Sequence, residues 1–305
     1  MCHCVSEQSL LDPRTSAMTM SRTQALEYSD SSVLSPELQK MAADELGEDS
    51  RKRDACLSRL RNLIQAETGL QSRLDDEFLL RFLRTKKFKV EVAFKTLRNY
   101  YRHRRESPEI FTGLRPSKLK HVYQANGQMR LADRDPQGRP VFVLRIGCWK
   151  PSDYDYYQLR KANMLCLEHI CLDPAVQVNG LVCILDCRGW GLQHLLAFPI
   201  SQVRKTIDLL QDCLPARFKA VHVVYQPSVF NVFFSLAKPF LTSKNINRIQ
   251  IHGSDMSSLH KHLPPSILPE EYGGLHGSFD NSKYCQCLYD HEASFIQDMK
   301  YGYLK

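Results

Sequence analysis

The sequence predicts an α/β protein in which a helical N-terminal region precedes a largely parallel sheet, and three observations carry that prediction. From about Arg115 onward, short runs such as Val141-Phe142-Val143-Leu144-Arg145-Ile146, Leu181-Val182-Cys183-Ile184-Leu185 and Val221-His222-Val223-Val224-Tyr225 alternate with longer segments of helical spacing. These runs are apolar almost throughout, as expected where helices cover both faces of a parallel sheet. Before Arg115, apolar residues recur instead at three- and four-residue intervals, the mark of helices with one buried face.

Residues 1–32 are rich in Ser, Thr and Met without periodicity and are expected to form a disordered leader. Ser35-Pro36-Glu37 then offers an N-cap, a proline at the first helical position and an early acid, predicting a short helix that ends near Gly47. Cys56, Leu57, Leu60, Leu63 and Ile64 mark a second helix, stopping around Gly69. Asp75-Asp76-Glu77 opens a third carrying Phe78, Leu79, Phe82 and Leu83, and Val90 opens a fourth carrying Leu97 and Tyr101. Ten Lys or Arg residues and a single acid, Glu91, lie between Arg81 and Arg105, which predicts a strongly positive face on these helices.

Asp135-Pro136-Gln137-Gly138 is a turn leading into the Val141–Ile146 strand. Tyr154–Leu172 and Ser201–Leu214 fit helices flanking the Leu181–Leu185 strand, and Arg248–His252 fits a last strand. Between the last two strands lies Ser228–Leu241, where Val229, Phe230, Val232, Phe233, Phe234 and Leu236 spread over most of a helix circumference. Such a helix suits a buried core or a cover that exchanges one apolar environment for another. Basic residues bracket it, Arg217 and Lys219 before and Lys244 and Arg248 after.

The 305-residue chain is 43% hydrophobic, enough for a sizeable core, and carries a formal charge of +8 that favours anionic partners. Its basic runs lack the interleaved, outward aromatic residues of a nucleic-acid module, because Phe82, Phe88 and Phe94 fall on the apolar period. No apolar run reaches the length of a membrane span and the start lacks the apolar core of a secretory signal, so the expected place is cytoplasmic, at membrane surfaces. Eleven cysteines sit mostly singly in apolar segments, as reduced thiols do. Cys2-His3-Cys4 and Cys285-Gln286-Cys287 lack zinc-ligand spacing, so no metal is expected.

Asp186 ends a buried strand, a position where α/β proteins often keep functional groups. Yet Gly189 and Gly191 do not continue into a dinucleotide fingerprint, no phosphate-binding Gly-Lys-Ser/Thr loop is present, and Ser254 lacks a nucleophile-elbow pattern. His260 and His262 read as exposed loop histidines. No catalytic residue is assigned and no cofactor is expected.

The run Phe78-Leu79-Leu80-Arg81-Phe82-Leu83-Arg84-Thr85-Lys86-Lys87-Phe88 resembles the opening signature of the CRAL-TRIO lipid-binding family. Val178-Asn179-Gly180, Leu210–Ala220, Lys238-Pro239-Phe240-Leu241 and Ile267–Gly274 resemble its later landmarks, in order, so the likeness spans roughly Pro36 to Gly274. Within the family it is most similar to the tocopherol-transfer, retinaldehyde-binding and clavesin branch. The resemblance implies a helical domain over 33–112, a lipid-binding domain over 113–278 and a tail over 279–305. It also implies one lipophilic ligand in a closed pocket, with Val229, Phe230, Phe233, Phe234 and Leu236 on a mobile gate helix. Arg217, Lys219, Lys244 and Arg248 match positions that bind a phosphatidylinositol bisphosphate, with Lys86 a weaker candidate. Pocket positions match Arg160, Asn163, Leu167, Leu181, Leu185, Leu209, Leu210, Leu214, Phe218 and Val221. A charge at Arg160 is costly against a wholly apolar ligand unless it is paired or turned outward. The implied function is transfer of a hydrophobic small molecule between phosphoinositide membranes of endosomal or Golgi type. The alternatives are a trafficking adaptor that transfers nothing and, from another class, a lipid-modifying enzyme.

Overall fold

The computed structural model describes residues 34–304; the leader and the Cys2-His3-Cys4 cluster lie outside them. Helix α1 (Pro36–Met41) is capped by Ser35 and continues as a π turn, Ala42–Leu46, until Gly47 closes it at φ 67°. Helices α2 (Ser50–Ala66), α3 (Asp76–Thr85) and α4 (Val90–Glu106) follow, with Asp49 and Asp75 as N-caps for the first two. Their apolar faces, including Leu57, Leu60, Phe78, Phe82, Leu97 and Tyr101, form one buried cluster.

The basic run does not make a single positive face. Arg81 and Arg84 are buried, and Arg104 lies 2.5 Å from the Glu168 carboxylate, because the helices that carry them are sandwiched against the rest of the protein. Arg84 donates to both oxygens of Glu48 and to Gln177, so these cations are internal connectors.

Five strands form the central sheet in the order β2 (Gln128–Arg134), β3 (Pro140–Arg145), β4 (Leu181–Asp186), β5 (Phe218–Val224) and β6 (Ile249–Gly253). The β2–β3 pair is antiparallel and the remaining pairs are parallel. One face packs Val141, Val143, Val182, Ile184, Ala220 and Val224 against Leu259, Leu263, Leu268 and Tyr272. The other supports α5 (Tyr156–Ile170), α6 (Pro174–Asn179) and α8 (Ser201–Asp208), with the short α7 (Leu192–Ala197) between the last two. Asp155 and Gln158 start α5 with a reciprocal capping box, which satisfies two of its free amides.

Residues 279–305, expected as a tail, carry α11 (Ser282–Asp290) and α12 (Glu292–Asp298), with Tyr284, Leu288 and Phe295 buried in the core under α5. A two-residue ribbon then pairs β1 (Leu70–Gln71) with β7 (Gly302–Tyr303). The remaining numbered helices, α9 (Val229–Ala237) and α10 (Ser243–Ile246), lie between β5 and β6. Among the described residues no helix is long and apolar enough to cross a membrane.

Candidate binding cavity and its basic mouth

Strand register sets the floor of a cavity of about 630 Å³. Leu144 pairs with Leu185, Cys183 with Val221, and Val221 with Ile249, and all five side chains line it. Ile207 of α8, Leu210 and Ala216 add further apolar wall, with Leu241 from beyond α9. Arg217, Lys219, Lys244 and Arg248 line the same cavity, joined by Lys86, Lys87 and Lys89 from the end of α3. An apolar interior with a cationic rim is therefore one continuous space.

Several features hold the rim in place. Gly180 sits at φ 94°, and a Cβ there would meet the Arg217 carbonyl oxygen at 2.7 Å and Lys219 Cγ at 2.7 Å. Only glycine tolerates both the conformation and the approach. Arg217 donates a hydrogen bond to the Val178 carbonyl, while its Nε has no protein partner among the described residues. Burial lowers the pKa of Arg217, Lys219, Arg248 and Lys86; the Arg248 charge adds to this at Arg217, the Arg217 and Arg248 charges at Lys219, and that of Lys244 at Lys86. Half-buried cations that repel one another favour a multiply charged anion at their centre. Two acids offset them from within the chain: Glu45, 3.9 Å from Lys219, acts on Arg217 and Lys219, and Asp212, which lines the same cavity, acts on Lys86.

The helix expected as a gate spans α9. Phe230 is buried, Phe233 and Phe234 are half-buried, and Val232 and Leu236 are 53% and 40% exposed. Phe233 packs against Trp190 and Phe198 at centroid distances of 5.7 and 5.3 Å. At its N-terminal side Tyr225 adopts φ 53°, pinned by the Arg188 guanidinium over its ring and by a hydrogen bond to the Glu271 carbonyl. A non-glycine residue in this region is uncommon and marks a strained connection. At the other side Gln211 donates to the Phe240 carbonyl and accepts from the Thr242 amide and Asn245 side chain. That side chain latches the segment after α9 to the cavity wall.

The expected site residues divide into two groups. Leu185, Leu210, Phe218 and Val221 line the cavity together with all four basic positions. Leu181, Leu209, Leu214 and Leu167 are buried in the adjoining core cluster and do not line it. Asn163 accepts a hydrogen bond from Gln128, and Arg160 is buried on α5. Lys86, the weaker expectation, belongs to the mouth, and Lys87 and Lys89 beside it went unassigned in the sequence. Their signal was present in the Lys86-Lys87-Phe88-Lys89 run.

Asp186 is fully engaged: it accepts from the Arg188 amide at 2.8 Å and the Tyr272 hydroxyl at 3.0 Å, with Arg145 at 3.9 Å. It fixes the loop after β4. His260 bonds the Tyr272 carbonyl and so is not a free loop histidine, while His262 is exposed but packs its ring against His222. The buried pair His222–His252 was not recognised in the sequence, since each ring looks like an isolated strand residue. Among the described residues no group of three or more His, Cys, Asp or Glu could hold a metal ion.

An apolar cavity with a cationic rim suits a lipophilic ligand, and the comparisons with known proteins point to the same class. The chain belongs to the CRAL/TRIO family: residues 125–274 match the CRAL/TRIO domain, preceded by a match of residues 49–120 to the Pinta-like UBA domain. The alpha-tocopherol transfer protein-like protein of Homo sapiens is 40% identical over 266 residues, 87% of this chain and 78% of its own. Clavesin-2 of Homo sapiens is 33% identical over 272 residues, 88% of this chain and 83% of its own. The crystal structure of Sfh5 aligns with a TM-score of 0.47 and 15% identity, over 87% of this chain and 100% of that one, a likeness too loose to argue from.

Proposed function

We propose that the protein carries a lipophilic molecule between membranes and exchanges it where phosphoinositides, phosphatidylinositol bisphosphate above all, are displayed. The observation that supports this most directly is the continuity of the cavity: Leu144, Leu185 and Val221 floor the space that Arg217, Lys219, Lys244 and Arg248 rim. Burying a lipid tail contributes about 0.8 kcal/mol per methylene, so such a space retains cargo through the aqueous phase. Each rim cation contributes about 1 kcal/mol of attraction to an anionic bilayer.

Exposed apolar residues support a docking role for the adjoining surface. Val232, Leu236 and Phe240, on and just after α9, are exposed, as are Leu192, Leu196 and Ile200 on the neighbouring α7 segment. Large apolar side chains grouped on a surface favour transfer into a membrane interface. Lys244 lies within the segment that Gln211 latches and Arg248 just beyond it, so a headgroup drawing on them pulls the segment that holds α9 closed. Binding at the rim thereby favours opening of the gate.

The full engagement of Asp186 supports a carrier over a lipid-modifying enzyme. The test is vesicle-to-vesicle transfer of a fluorescent lipid by the full chain, with and without phosphatidylinositol 4,5-bisphosphate in the acceptor. Transfer accelerated by the phosphoinositide is expected. Vesicle binding without lipid movement would replace the carrier reading with that of an adaptor, and chemically altered lipid would replace it with that of an enzyme.

A further inference from the structure

At the junction of α4, α5 and α8, buried polar side chains keep hydrogen-bonding atoms without a protein partner among the described residues. Arg160 is 7% exposed, and neither its Nε nor its Nη2 meets an acceptor. His103, whose ring feels the Arg160 charge, has an unpartnered Nε2, and Ser107, one turn further along the chain, has an unpartnered Oγ. Gln202 contributes an unpartnered Oε1 from α8. That helix is tied to α5 by the Tyr156 hydroxyl, 3.2 Å from Thr206, one turn before Arg160.

The surrounding charges do not compensate Arg160. Arg104 is paired with Glu168 at 2.5 Å, and Glu109 lies 3.9 Å from Lys205. Arg160 forms no ion pair among the described residues and remains the excess cation in a buried setting. A desolvated guanidinium without a partner is strongly unfavourable, whereas one facing a carboxylate makes two parallel charge-assisted hydrogen bonds. Burial opposes its charge, and the Tyr156 hydroxyl and distant Glu109 offset that only in part.

The wall between this cluster and the cavity is α8 with the π turn that ends it, Leu209–Cys213. The turn gives Leu210 to the cavity and Leu209 to the core around α5, so it touches both sides. A π turn is a rare interruption of an α-helix that recurs at functional sites.

We propose that Arg160 anchors an acidic headgroup, so that the natural cargo is an amphiphile ending in a carboxylate or a comparable anion, whose tail crosses the wall at the Leu209–Cys213 turn to reach the Leu210 side. The inference rests on the carrier reading above and specifies the chemical class of the cargo.

The test compares palmitate with hexadecanol, which share a chain length and differ in the terminal group, by titration calorimetry on the full chain. Wild type should bind the acid at least tenfold more tightly, a difference of about 1.4 kcal/mol. Arg160→Met should lose the preference for acid, binding palmitate no more tightly than hexadecanol, and melt at a higher temperature because an unpaired buried charge is gone. Arg160→Lys, which keeps the charge, should retain part of the preference and keeps the test decisive if the Met variant fails to fold. Equal binding of acid and alcohol by wild type, or a preference that survives Arg160→Met, overturns the assignment of Arg160 and leaves the carrier reading standing. Failure to bind either amphiphile, together with absent vesicle transfer, overturns both.

Discussion

The Glu48 carboxylate receives two hydrogen bonds of 2.9 Å from the Arg84 guanidinium, whose third nitrogen reaches the Gln177 side-chain oxygen at 2.8 Å. Both charged side chains are almost fully buried, at 5% and 7% exposure. Through this pair the turn before α2, the last turn of α3 and α6 are clamped together. Removing one partner strands the other charge away from water, so Arg84→Leu or Glu48→Leu should destabilise the fold by about 3–5 kcal/mol in denaturant titration. The Arg84→Leu/Glu48→Leu double variant should be milder than the sum of its parts. Strict additivity would show that the two side chains do not act as a unit.

Reversal of the rim charges separates docking from folding. Arg217→Glu with Lys219→Glu removes two attractions and adds two repulsions at a surface where each charge contributes about 1 kcal/mol. Affinity for phosphoinositide vesicles should fall at least tenfold in flotation assays, with the melting temperature nearly unchanged. Glu45→Gln should act in the opposite sense, tightening binding about two- to fivefold, because the partly exposed Lys219–Glu45 pair at 3.9 Å contributes under about 1 kcal/mol. Vesicle affinity indifferent to all three substitutions would remove the rim from the docking site.

Gln211 offers a way to loosen the proposed gate without touching its apolar residues. Its side chain makes three hydrogen bonds to the segment Phe240–Asn245. Gln211→Leu should raise the dissociation rate of bound fluorescent lipid by about tenfold, since each net hydrogen bond contributes about 1 kcal/mol and part of the loss is regained by water. An unaltered rate in stopped-flow measurements would show that the segment does not govern release.

Buried histidines set the response to acid. His222 Nδ1 lies 3.0 Å from His252 Nε2, and burial first, then the charge of His252 and His262, holds His222 at about 3. Burial likewise lowers His103 to about 4 and His169 to about 3. The unfolded chain takes up protons near pH 6.5 that the folded protein refuses, so stability rises with pH through the interval from about 3 to 6.5 and is fully present above it. The melting temperature should therefore drop between pH 7 and pH 5, and His222→Gln should make that drop shallower. Parallel pH profiles for the two proteins would exclude His222 from the effect.

Much of the architecture was legible because its chemistry is local. The three central strands announced themselves as apolar runs buried on both faces, and the caps at Ser35, Asp75 and Gly47 fell where their residue types demand. Strand β2 escaped because Gln128-Met129-Arg130-Leu131-Ala132-Asp133-Arg134 is an edge strand whose alternation is diluted by charge. The β1–β7 ribbon is two residues long and has no local signal. Spacing of Tyr284, Cys285 and Leu288 on one helical face could have revealed α11. For the cavity, the family resemblance, and no local signal, grouped basic residues far apart in sequence, while the division of apolar residues between floor and core depends on sheet register, which no single segment encodes.

The pairing of Leu70 with Tyr303 has a consequence for how the protein is made. Tyr301 and Tyr303 pack on the helical cluster built from α2, α3 and α4, so that cluster borrows its last pieces from residues more than two hundred positions downstream. During synthesis the first helices emerge early and must wait, incomplete, while the sheet and cavity form behind them. Closing so long a loop is entropically costly and slow, which makes the ribbon a late event in folding. A ribosome stalled before residue 302 would hold an unfinished first layer, however complete the cavity.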